Sequence, residues 1–80
     1  MTLYQFNFLN ESQQAETLWE NGEHIGERED HALTIALYQI DSFYVEVFYD
    51  QKQNAIKRFR SFSSIEQLRP HLEQINVNIH

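Results

Sequence analysis

The sequence predicts an α+β fold: a mostly antiparallel sheet of four to five strands with two helices packed on one face, in the order β-α-(β)-β-β-β-α. Three observations predict it. HALTIALYQI, FYVEVFYD and IKRFRSF are successive runs rich in β-branched and aromatic residues, set apart by the turn signals Asp41-Ser42 and DQKQNA. NESQQAETLWENG carries a capping residue at its start and a glycine at its end. SSIEQLRPHLEQI repeats apolar residues at helical spacing.

The first element is LYQFNFL, residues 3 to 9. Tyr4, Phe6 and Phe8 alternate with Gln5 and Asn7, a period of two that predicts a half-buried strand. A helix follows from about 11 to 21. Asn10 caps it with Gln13 as reciprocal partner, Glu11 and Glu16 suit its dipole, and Gly22 stops it. Ala15, Leu18 and Trp19 form its narrow apolar stripe, which lays Leu18 and Trp19 on the sheet. Residues 24 to 30 have Ile25 as their one strong apolar residue and read either as a short edge strand guarded by Glu27 and Glu29 or as a loop.

The central hairpin has two registers. A three-residue loop sets Gln39 opposite Phe43, Leu37 opposite Val45, Ile35 opposite Val47 and Leu33 opposite Tyr49; a two-residue loop sets Leu37 against Glu46. The first keeps the apolar sets together and is the expectation. On the next strand, like parity places Val47 beside Phe59, Glu46 beside Arg60, and Phe48 beside Arg58, where a guanidinium can lie over the ring. The second helix runs from 63 to 75. Ser63 and Glu66 form a capping box, Ile65, Leu68, Leu72 and Ile75 give its apolar face, and Pro70 kinks or restarts it. NVNIH is a last short strand or a frayed tail.

These registers fill one face with Leu33, Ile35, Leu37, Phe43, Val45, Val47, Tyr49 and Phe59. The other receives Tyr38, Tyr44, Phe48, Ile56 and Phe62, mixed with Glu46, Arg58 and Arg60. Aromatics and arginine around apolar side chains have the composition of interface centres. The expected function is therefore a small interaction module with a structural or regulatory role, a homodimer or a partner of another protein, using this second face. A wet sheet surface and a curled sheet with this face inside stand beside that expectation. The functional alternative is a small-ligand or peptide-binding domain with a pocket lined by Trp19.

Bulk properties narrow the classes. Eighty residues make one domain, 1–80, with no linker or repeat and a thin core. Absence of cysteine removes disulfides and thiolate metal sites. The N-terminus lacks a basic region followed by an apolar run, and no stretch approaches the roughly 20 apolar residues of a membrane helix, so a cytoplasmic protein is expected. Asn10-Glu11-Ser12 matches the N-glycosylation pattern, idle without secretion.

The net charge of −6 divides into −9 over residues 1 to 50 and +3 over residues 51 to 80. Lys57, Arg58 and Arg60 are the one basic cluster, beside Tyr44 and Phe48, but Glu46 sits within it and the acidic remainder opposes a phosphate chain. No nucleic-acid partner is expected.

His24, Glu27, Glu29, Asp30 and His31 are rich in metal-ligating types, yet H-x-x-E-x-E-D-H is not a zinc spacing and a solvated face accounts for it. Glu46 is the best-placed carboxylate for acid–base work, but Arg58 or Arg60 would hold it charged. Ser42, Ser61, Ser63 and Ser64 have turn or cap roles, and two glycines cannot build a phosphate loop. No catalytic residue, metal or cofactor is implied.

Overall fold

The structure, a computed structural model, describes residues 1–64. It is α+β, with helices α1 (Leu3–Phe8) and α2 (Glu11–Asn21) followed by strands β1 (Glu23–Asp30), β2 (Leu33–Ile40), β3 (Phe43–Asp50) and β4 (Ala55–Phe62). The strands form one antiparallel sheet in the order β1-β2-β3-β4. Both helices precede the sheet, which corrects the expected order β-α-(β)-β-β-β-α. The expected helix 63–75, the effect of Pro70 and the tail strand lie outside the described residues.

Residues 3 to 8 are helical, not extended. Thr2 accepts from the Gln5 backbone N–H at 3.1 Å, and the Thr2 N–H donates to Gln5 Oε1 at 2.8 Å, a complete capping box. The alternation of aromatics hides a second pattern: Leu3, Phe6 and Leu9, three apart, face the core, while Tyr4 and Phe8, four apart, point outward with 76% and 91% exposure. Asn10 and Gln13 repeat the box at the start of α2.

Gly22 ends α2 in extended geometry (φ −80°) rather than in the left-handed conformation of a glycine stop. Glycine is required for space, because a Cβ there would stand 2.6 Å from the Leu18 carbonyl oxygen.

The β2–β3 connection is the two-residue turn Asp41-Ser42, with Ile40 opposite Phe43 and Leu37 opposite Glu46. The three-residue loop expected from grouping apolar residues is therefore corrected. Asp41 takes φ 51°, which a short polar side chain tolerates better than most. Its carboxylate also receives the N-terminal ammonium at 2.7 Å. The result turns β2 over: Ala36, Tyr38 and Ile40 share the helix face with Phe43, Val45 and Val47, while Ile35 and Leu37 join Glu46 and Phe48 on the opposite face.

Two single-residue bulges adjust the margins. Ile25 is the extra residue of β1 and Lys57 that of β4. The second bulge sets Ile56 opposite Tyr49 and so moves it to the helix face. Between them, Val47 pairs with Phe59, Glu46 with Arg60 and Phe48 with Arg58, the pairing the charges predict.

The helix-side core joins Phe6, Leu18, Ile40, Phe43, Val45 and Val47, with the Phe6 and Phe43 rings 5.7 Å apart. Ile35, Leu37, Phe48 and Phe62 are buried on the opposite face.

His31, in the β1–β2 turn, holds φ 57° with its side chain in solvent. Glycine reaches that conformation without the Cβ penalty. His31→Gly is expected to stabilise the protein by about 0.5–1 kcal/mol and raise the thermal midpoint by about 2–6 °C. Calorimetry checks this, and a lowered midpoint would contradict the turn geometry.

Candidate functional site

Two places concentrate polar chemistry or exposed aromatic surface. The first is Glu46, at the centre of β3 on the face away from the helices and 1% exposed. Arg60 Nη1 donates to Glu46 Oε1 at 2.6 Å, and Arg28 Nη2 to Oε2 at 3.5 Å, so β1 and β4 both reach the carboxylate on the central strand. Arg28 Nε is buried without a hydrogen-bond partner. The Arg58 guanidinium lies 4.1 Å from the Phe48 ring centre and that of Arg60 lies 5.2 Å from the Phe62 ring centre. Tyr44 stacks on Phe62 at 5.6 Å.

A carboxylate enclosed by two guanidinium groups is an ion cluster that ties three strands together.

The second place is a groove of about 420 Å³ on the helix side of the sheet, lined by Trp19, Thr34, Ala36, Tyr38, Val47, Tyr49, Gln51 and Ile56. Its floor is set by register: Thr34, Ala36 and Val47 are cross-strand neighbours with short side chains. Tyr38 and Trp19 form one end, their rings 6.1 Å apart, and His24 meets Tyr38 edge-on at 5.2 Å. Tyr49 and Ile56, paired across β3 and β4, form another margin. Trp19 is 58% exposed, so it walls the groove rather than anchoring α2 in the core; Leu18 is the anchor.

The polar groups of the groove are held in place. Thr34 Oγ1 donates to Glu29 at 3.5 Å, and Gln51 Nε2 donates to Glu29 at 3.4 Å and to Thr34 Oγ1. The Tyr49 hydroxyl donates to Asn54 Oδ1. The groove presents apolar surface beside a few fixed hydroxyl and amide groups, and its volume lies in the range of small-molecule pockets.

The eight residues expected on one interface thus divide. Tyr38 and Ile56 lie on the helix side, at the groove. Tyr44, Glu46, Phe48, Arg58, Arg60 and Phe62 share the opposite face, but Glu46, Phe48 and Phe62 are buried within a single chain. Trp19 is among the residues that line the groove. The sequence reading passed over Thr34, Ala36, Tyr49 and Gln51, whose signal is the tight turn Asp41-Ser42 that brings them to one side.

His24 and His31 stand at opposite ends of β1, pairing with Glu27 at 3.3 Å and Asp30 at 3.6 Å respectively. Among the described residues, no three metal-ligating side chains converge. No described helix is long and apolar enough to cross a membrane. Comparison with family models, characterised proteins and solved structures found no match.

Removing one member of a buried ion pair leaves its partners' charges uncompensated. Because Arg28 and Arg60 keep some access to water, Glu46→Ala should cost about 3 kcal/mol, the lower end of that range. Urea denaturation followed by circular dichroism measures it. A loss below about 1 kcal/mol, the level of an exposed pair, would show that the cluster contributes little.

Proposed function

We propose that this chain is a cytoplasmic protein-interaction module whose contact site is the Trp19 groove, where it receives an apolar side chain of a partner. The observation that carries the reading is the pairing of a half-exposed tryptophan with an apolar hollow floored by Thr34, Ala36 and Val47. An exposed indole beside apolar surface is in unfavourable contact with water, and a partner's side chain that covers it gains roughly 25 cal/mol per Å² of apolar area removed from water. Tryptophan and tyrosine are the residues that most often dominate such contacts.

Self-association through the opposite sheet face has less support, because the rings at its centre are already covered. The groove offers apolar surface that is concave and bordered by rings. Its fixed hydroxyl and amide groups suit recognition rather than turnover.

The test is a peptide display selection on the full chain, with the selected peptides titrated by calorimetry against the wild type and against Trp19→Ala, which removes the chain's single tryptophan. Peptides enriched on the wild-type protein should carry an apolar residue and should bind Trp19→Ala at least about tenfold more weakly, the weight of a central aromatic contact. Thermal stability should change little, since Trp19 is largely in solvent. Light scattering should give the monomer mass of 9.6 kDa. Enrichment of peptides indifferent to Trp19→Ala, or a dimer that the substitution dissociates, would overturn the reading.

A further inference from the structure

We infer that the partner segment seated in the groove carries arginine or lysine beside its apolar residue, an inference that rests on the groove being the contact site. The argument is charge complementarity. Glu27 pairs across β1 and β2 with Ala36, and Glu29 with Thr34, so two carboxylates stand next to the groove floor on the same sheet face. Glu29 is joined to the floor through Thr34 and Gln51.

The segment that leads into and through β1 is acidic as well. Residues 11 to 30 hold Glu11, Glu16, Glu20, Glu23, Glu27, Glu29 and Asp30 against the single base Arg28. Arg28 does not serve the groove, because it pairs with Ile35 on the opposite face and engages Glu46 there. Glu16 is three residues before Trp19 and Glu23 four after it.

An apolar floor with aromatic ends and a carboxylate wall selects a cation on an apolar stem. Trp19, Tyr38 and Tyr49 present ring faces that favour such a cation, and Glu27 and Glu29 supply the opposite charge. An acidic or neutral apolar segment fits the floor but meets repulsion or no reward at the wall. A peptide is the occupant because the apolar floor and the two carboxylates lie side by side on one sheet face, the arrangement that neighbouring apolar and basic side chains of one segment match.

Three blocked tetrapeptides decide the matter: Leu-Arg-Leu-Arg, the same peptide with citrulline for arginine, and the same with glutamate. Citrulline keeps the shape of arginine and removes its charge. Each is titrated by isothermal calorimetry against the full chain and against its Trp19→Ala variant. The arginine peptide should bind about fivefold tighter than the citrulline peptide, as expected for two exposed ion pairs, and the glutamate peptide weakest. The preference should vanish in the double variant Glu27→Gln, Glu29→Gln, and shrink in high salt.

Equal binding of the arginine and citrulline peptides, both sensitive to Trp19→Ala, would overturn the basic-partner inference and leave the groove as a contact site. Indifference of all three peptides to Trp19→Ala would overturn both. Butylguanidinium binding as tightly as the arginine peptide would reassign the groove to a small organic cation and overturn the peptide assignment.

Discussion

The turn at Asp41-Ser42 governs the molecule. Side chains alternate across a sheet, so one residue more or less in a hairpin exchanges every side chain of one strand between faces. With two residues in this turn, Ile35 and Leu37 stand beside Glu46, and Ala36 and Tyr38 stand beside Val45 and Val47. Glu46 then has apolar neighbours that exclude water and must find its counter-charges on β1 and β4. The groove owes its existence to the same choice, because it is Thr34 and Ala36, not Leu33 and Ile35, that face the helices. A three-residue loop would have filled that hollow with leucine and isoleucine.

The register places a charge in an apolar layer, which is costly unless every lone pair is met. Two guanidinium groups reach Glu46 from opposite sides, at 2.6 Å and 3.5 Å. The arginines also cover surface with their flat heads: Arg58 over Phe48, Arg60 over Phe62. Arginine suits this double duty because its guanidinium is planar, weakly hydrated and able to stack while it donates. The cluster also penalises slippage. A one-residue shift of β4 would turn Arg60 away from Glu46 and strand a buried charge, so the costly carboxylate helps to enforce the register that created it.

Much of the sheet was legible, since the three long strands are β-branched and aromatic and the Glu46–Arg60 and Phe48–Arg58 pairs follow from charge alone. What misled was local economy in the argument for grouping. Sorting Leu33, Ile35 and Leu37 with Val45 and Val47 assumes one buried face, whereas here apolar side chains are buried on both. The alternation of Tyr4, Phe6 and Phe8 likewise favoured a strand, although Thr2 and Gln5 already spelled a capping box of the kind read correctly at Asn10 and Gln13. Over six residues, periods of two and of three to four overlap, and the cap is the better witness. The stripe of Ala15, Leu18 and Trp19 is ambiguous for a similar reason: adjacency to Leu18 says nothing of how far Trp19 is buried, and it is 58% exposed where Leu18 is 1%. The bulge at Lys57, which moves Ile56 to the groove, leaves no mark in a sequence that alternates on both sides of it.

The groove follows from lengths as well as from register. Strands of eight residues run about 26 Å, whereas an eleven-residue helix spans about 16 Å and a six-residue helix about 9 Å. The two described helices together cover the end of the sheet around Ile40, Phe43 and Val45, where the core is densest, and leave the other end bare. Had large aliphatic side chains occupied that bare end, they would have been an unrelieved apolar patch. Thr34 and Ala36 keep it shallow instead, and the rings of Trp19, Tyr38 and Tyr49 stand around its edge. A surface meant only for solvent would have no need of an indole there. The combination of a small floor, aromatic margins and an acidic neighbouring strand is what the proposed contact site rests on.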